Sequence, residues 1–232
     1  MQGTLVNAIA VIIGSLIGIG FRGRFPDRIK SIVFQGIGLV TLFIGFQMSL
    51  KASSLVVLFF SMLIGAIMGE IIDVEKHIEA FGNFVKSKFS SRGDRFVEGF
   101  ITAFLLFCMG SMTIIGSIED GLNGDPSILY AKSMLDGFAS ISLASVLGVG
   151  VLFSVVPLLL YQGGITLLAS LSRAFFTEAV IDELSATGGI ILIGLGINIL
   201  EIKKIRVANL LPSLLISAII TYLLPLFSEL MG

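Results

Sequence analysis

The sequence predicts an all-α, polytopic membrane protein. It has about eight transmembrane helices, short interfacial helices, and an inverted-topology repeat relating the first three spans to the last three. Three observations predict this. The 232 residues are 55% apolar, with 13% charged side chains and 27 glycines, and mean hydropathy is +1.03; a soluble domain carries about 25% charge. Apolar runs near the ~20 residues needed to cross hydrocarbon recur along the whole chain. The chain also matches itself at an offset of 151: Arg22 on Arg173, Phe25 on Phe176, Asp27 on Glu178, Gly38 on Gly189, Gly45 on Gly196 and Gln47 on Asn198. After one further residue, Ser61 to Met68 falls on Ser213 to Ile220. Chance likeness among glycine-bearing apolar helices is the competing explanation, but charged and amide positions match as well.

The spans fall at residues 4–21, 32–50, 54–73, 97–118, 132–153, 155–172, 187–202 and 207–228. No Lys or Arg precedes the first, so it lacks the basic start of a signal peptide and reads as a retained helix. The whole chain, 1–232, is then a single membrane domain: repeat one over 1–73, an amphipathic linker helix with the unrepeated fourth and fifth spans over 74–150, and repeat two over 151–232.

Charge gives the direction. Arg22, Arg24, Arg28 and Lys30 follow the first span, Lys76, Lys86, Lys88, Arg92 and Arg95 the third, and Lys203, Lys204 and Arg206 the seventh. Of the 15 basic residues only Lys51, Lys132 and Arg173 lie elsewhere. With eight spans the three basic connections share one side, and the positive-inside rule places both termini outside the cytoplasm of a bacterial inner membrane. A five-span shift between repeats inverts topology, and the connections obey it: residues 23–34 are basic, and their counterparts 174–185 are acidic. Both read as short interfacial helices, started at Pro26 and Thr177 and striped by Phe25, Ile29 and Ile32 or Phe176, Val180 and Leu184. Residues 75–91 read as a further amphipathic helix on the lipid surface, with Ile78, Phe81, Phe84, Val85 and Phe89 on one face. A shorter self-match, Ser15–Gly20 on Ser145–Gly150, carries only the alternation of small and aliphatic residues that helix packing itself produces.

Two regions offer chemistry. From Gly110 to Gly137, glycines at 110, 116, 121 and 124 permit helix breaks, and Asp125-Pro126 reads as a cap followed by a first-turn proline. From there Lys132, Asp136 and Ser140 recur every four residues on one helix face. Ionisable groups entering an apolar helix face protein or water rather than lipid; the competing reading is a Lys–Asp pair that fixes helix depth near the headgroups. The second region follows from the repeat. Spans two and seven are the paired segments most interrupted by glycine, at 36, 38 and 45 and at 188, 189, 194 and 196, and span seven is short before Glu201. Short, glycine-broken segments at matching positions point to a transporter site. Gln47 and Asn198 are matched amides there, able to coordinate a polar solute or to bond a neighbouring helix as packing glue. The candidate binding set is therefore Gln47, Asn198, Ser111, Asp120, Lys132, Asp136 and Gln162, with helix breaks at Gly45, Gly110, Gly116, Gly121 and Gly196. Asn7, Thr113, Tyr161 and Asn209 are further polar residues inside spans. Ser61-x-x-x-Gly65-x-x-x-Gly69 and Gly14-x-x-x-Gly18 are small-residue packing faces, either of which suits a homodimer contact.

The stretch from Gly110 to Gly137, with Gly14-Ser15 and Phe21-Arg-Gly-Arg-Phe-Pro26, resembles domain-of-unknown-function family 554, a group of prokaryotic integral membrane proteins. The resemblance covers essentially the whole chain. It implies a bacterial inner-membrane protein associated with transport, and carries over no substrate and no catalytic residues.

Enzyme chemistry is poorly supplied. No phosphate-binding Gly-Lys-Ser/Thr loop and no Gly-x-Ser-x-Gly elbow occurs. One cysteine (Cys108) and one histidine (His77) exclude disulfides within the chain and paired-ligand metal sites. Asp120 and Asp136 are the best pair for an aspartyl-type membrane enzyme, a remote reading. A net charge of −1 gives no pull toward nucleic acid. The expectation is a small secondary transporter or channel for a small polar or ionic solute, without cofactor or metal, with a site near the bilayer midplane. Its partners are the lipid bilayer and a second copy of the chain. The alternative is a non-transporting dimeric scaffold or sensor.

Overall fold

The structure, a computed structural model, describes residues 1–21, 27–78, 80, 95–108, 110–171 and 175–231. Every regular element among these is helical: α1 (Gln2–Phe21), α2 (Asp27–Ser49), α3 (Leu55–Ile72), α4 (Phe96–Cys108), α5 (Ser111–Leu122), α6 (Ser127–Leu147), the single turn α7 (Gly150–Phe153), α8 (Val155–Leu171), α9 (Glu178–Ile199), a 3₁₀ turn (Val207–Leu210) and α10 (Pro212–Met231). Five helices are long and apolar enough to cross a membrane, and the bent pair α4–α5 makes a sixth. The eight spans of the sequence reading map onto these elements with two shortfalls. The described apolar part of α2 is only Gln35–Ser49, and α6 carries Lys132 and Asp136 within its first turns.

Several local expectations change. The fourth span is broken: Gly110 takes extended backbone (φ −67°, ψ 142°), and α4 and α5 meet at 57°. Thr113 Oγ1 donates to the Phe107 carbonyl at 2.8 Å, satisfying one acceptor that the break frees. The fifth span ends early, at Gly148 with φ 79°, where a side chain would be strained. The segments read as interfacial helices are instead the first turns of α2 and α9, continuous with the spans. Thr177 does cap α9, its hydroxyl accepting from Val180 N at 3.3 Å. Arg22, Arg24, Phe25, Pro26 and Arg173, and most of the predicted amphipathic helix 75–91, lie outside the described residues.

Glycines decide which helices touch. α1 runs parallel to α6. A Cβ at Gly3 would strike Leu129, one at Gly14 would strike Gly137 O and Ser140 Oγ, and one at Gly18 would strike Ile141 O. α2 runs antiparallel to α9, where a Cβ at Gly45 would lie 2.8 Å from Gly189 O and one at Gly189 would lie 2.7 Å from Gly45 O. α3 runs antiparallel to α10 through Gly65 on Ser213 and Gly69 on Asn209. These close approaches are what membrane helices need when lipid offers no hydrophobic drive for association. Gly45, Gly116, Gly121 and Gly196 therefore lie inside continuous helices. They are points of contact, not breaks. α9 is the most buried span, 67% of its apolar window being inside the molecule, and Leu192 and Leu195 join it to Phe107, Leu143 and Leu158 in one core.

Candidate functional site

α6 starts one residue later than the sequence places it, with Pro126 at the cap position and Ser127 as its first residue. Asp125 Oδ1 accepts from Ser127 N at 2.9 Å and from the Ser127 hydroxyl, and these bonds hold its carboxyl below the usual carboxylate range. One turn further, helical spacing aligns Lys132 with Asp136. Their side chains form a buried ion pair, Lys132 Nζ donating to Asp136 Oδ2. Asp136 stands nine residues into α6, about 14 Å along its axis.

The pair is held by residues far away in sequence. Asn7 of α1 donates through Nδ2 to Asp136 Oδ2 and to Gln162 Oε1 of α8, each at 3.0 Å. Gln162 Nε2 donates to Thr4 Oγ1 at 3.2 Å. All four of Thr4, Asn7, Gln162 and Lys132 are buried. Asn7 Oδ1 is enclosed with no hydrogen-bond partner among the described residues. Such a vacancy beside a buried ion pair is costly. Asn7 belongs at the centre of this network, and its only sequence signal is being an amide inside an apolar span.

One side of the pair faces a cavity of about 750 Å³ between α2, the α4–α5 break and α6. Gly36, Thr41 and Gln47 of α2, Gly110 at the break, Lys132 and Asp136 all line it. Gly36 and Gln47 stand eleven residues apart, so the cavity runs about 16 Å along α2.

The remaining predicted residues fall elsewhere. Asp120, buried near the C-terminal end of α5, accepts from the Met1 ammonium at 2.8 Å and from Gly3 N at 3.2 Å. Asn198 does not meet Gln47: it exchanges two 2.7 Å hydrogen bonds with the backbone of Ile205 and lines a separate cavity of about 470 Å³ beside Glu98, Lys203 and Lys204. Gln162 sits behind the ion pair, not in the cavity. Ser111 opens α5 beside Gly110. At the end of α3, Glu70 and Asp73 both pair with Arg206, and Asn209 Nδ2 donates to Glu70 at 2.7 Å. Among the described residues no group of three His, Cys, Asp or Glu side chains stands ready to hold a metal.

Apolar helices that cross a membrane, packed through glycines around a buried polar network, define an integral membrane protein. The chain belongs to the family described as Protein of unknown function (DUF554), which it matches over residues 2–222. It is 36% identical to the uncharacterized membrane protein YdfK of Bacillus subtilis (strain 168), over 98% of each chain. It is 34% identical to the uncharacterized protein YqgA of Escherichia coli (strain K12), over 93% of this chain and 94% of that one. No solved structure matches the chain significantly.

Proposed function

We propose that this protein is a small secondary transporter or channel of the bacterial inner membrane, and not an enzyme. The observation that carries the reading is the buried Lys132–Asp136 pair facing a cavity beside a helix broken within its span. Ionisable groups in membrane helices are expensive and persist where they face a solute path, and discontinuous helices are how transporters present backbone to a solute near the midplane.

The helix directions support an eight-pass arrangement with both termini on one side, and the clustering of basic residues favours the outside. With α4–α5 counted as one bent crossing, α1 and α6 run the same way, and α2–α9 and α3–α10 run opposite ways, as the packing requires. The reciprocal contact of Gly45 and Gly189, together with the approach of Gly196 to Gly38 O, is what a pseudo-two-fold between repeat one (1–73) and repeat two (151–232) would produce. A homodimer belongs to the proposal too. It must use another surface, because both small-residue stripes are spent inside the protomer, Gly14 and Gly18 on α6, Gly65 on α10 and Gly69 on the 3₁₀ turn before it.

A second reading, a non-transporting scaffold, is favoured by Asn198 and Gln162, whose amides are engaged in packing. Flux into proteoliposomes decides between them. A panel of small anions, cations and amines is expected to yield at least one solute whose uptake exceeds that of protein-free vesicles and falls about tenfold or more in Gln47→Leu and in Asp136→Asn. Full uptake by both variants removes the site assignment, and no uptake across the panel favours the scaffold.

A further inference from the structure

We propose that the cavity between α2 and α6 takes a monoanion with an apolar body, such as a small aryl- or alkyl-carboxylate, and that Asp136 takes up a proton as the anion binds. The inference rests on the reading of this cavity as the solute site.

Three features of the cavity select that ligand. Lys132 is only 4% exposed, and its one acceptor among the described residues is Asp136 Oδ2. An ammonium carries three donors, so two are left for a ligand on the cavity side. The break adds a second positive element: Gly110 and Met112 line the cavity, and although Thr113 N donates to Gly110 O at 2.9 Å, the N–H groups of Ser111 and Met112 have no acceptor within their own helix. Finally the walls are apolar, formed by Ile37, Val40, Ile44, Leu106, Phe107 and Leu192. A bare inorganic ion would leave those walls against water, and a polyanion would find one lysine and no arginine among the lining residues. The volume, about 750 Å³, lies in the range of pockets that enclose a whole organic molecule.

Charge balance supplies the proton. A carboxylate reaching Lys132 puts two carboxylates on one ammonium in a poorly solvated place, and like charges so close do not both stay ionised. The groups facing Asp136 leave no other compensation. Among the described residues Lys132 on its own helix is the one cation, α4 brings the Cys108 thiol near, and α1 presents the amide of Asn7, itself bonded to Gln162 of α8. The bound state is then Lys132 ammonium, ligand carboxylate and neutral Asp136.

The test uses three probes of one shape: 3-phenylpropionate, 3-phenylpropionamide and 3-phenylpropylamine, titrated calorimetrically into the purified protein in lipid nanodiscs. Expected is binding of the carboxylate at least about tenfold tighter than of the other two, tightening from mildly alkaline to mildly acidic buffer. Val40→Trp fills the cavity from a lipid-exposed position and is expected to abolish binding; Lys132→Met/Asp136→Leu removes the charge without leaving one buried partner, and is expected to do the same. The inference is overturned if the amine binds as well as the carboxylate, if none of the three binds, or if both variants bind the carboxylate as the parent does. An affinity independent of pH overturns the proton uptake. The two readings fail separately. Proteoliposome flux of a cation, blocked by Val40→Trp, leaves the transporter and removes the anion. Carboxylate binding without flux of any solute keeps the site and removes transport.

Discussion

At the scale of single residues, the buried ion pair is the feature whose energetics are most exposed to experiment. Asp136 accepts from both Lys132 and Asn7 through one oxygen. Removing one partner strands the other in a medium that solvates it poorly, at a cost of about 3–5 kcal/mol, whereas replacing both by apolar groups is often neutral. Lys132→Met alone is therefore expected to lower the thermal unfolding midpoint in detergent sharply, and Lys132→Met/Asp136→Leu to recover most of the loss. Asn198 behaves differently. Its two bonds to Ile205 close the turn after α9, so Asn198→Leu is expected to cost roughly 1–3 kcal/mol of stability while leaving solute flux per folded molecule unchanged. Equal flux loss in Asn198→Leu and Gln47→Leu would return Asn198 to the site. The two cases also show what sequence reveals at this scale. Lys132 and Asp136 are legible because helical spacing puts them together within four positions. Asn7 is not, because its partners stand 129 and 155 positions away, and Asn198 misleads because its partner is a backbone group, which has no letter.

At the scale of elements, helix contacts were legible where small residues mark them, and helix ends were not where charge interrupts an apolar run. Gly14-x-x-x-Gly18 reads as a packing face and is one, against α6. Even the short likeness between Ser15–Gly20 and Ser145–Gly150 belongs to two helices that lie on each other, since a Cβ at Gly18 would stand 3.0 Å from Ser145 N. The seventh span reads short because its apolar run stops at Asp182 and Glu183. In the fold the helix continues through both, since Glu183 is buried and its Oε1 accepts from Ser54 N at 2.6 Å at the start of α3. A charge that finds a helix N-terminus no longer ends a span. The glycine contacts carry a direct prediction. Gly14→Ala and Gly18→Ala must push α1 off α6 and are expected to cost at least the ~1–3 kcal/mol of an overpacked core, read as lost thermal stability and yield. Gly20→Ala and Gly164→Ala meet nothing within 4 Å and are expected to be neutral or slightly stabilising. Equal behaviour of the four variants would mean that α1 and α6 do not pack this way.

At the scale of the whole molecule, the open question is how many times the chain crosses the membrane, because five helices qualify on length and composition and the bent pair gives a sixth. Packing directions constrain the count. α1 and α6 are parallel, so the chain between them reverses an even number of times, which α2, α3 and the bent α4–α5 pair accomplish as three crossings. Dropping α2 as a crossing would turn α1 and α6 antiparallel, against the contacts of Gly3, Gly14 and Gly18 at successively later positions of α6. The same logic makes α6 a crossing despite its ion pair: without it α3 and α10 would run the same way, yet Gly65 meets Ser213 and Gly69 meets the earlier Asn209. The proposed eight crossings, taken with the clustering of basic residues, would place Lys51, Gly124 and both chain ends on the outer side. Alkaline phosphatase, active only outside the cytoplasm, is expected to be active when fused after Lys51, Gly124 or Gly232 and inactive after Arg92 or Lys204. An active fusion after Arg92 with a silent one after Gly124 would invert the protein and put the acidic start of α9 inside. Activity on the same side at Lys51 and Arg92 would remove α3 as a crossing, and the inverted repeat would fall with it.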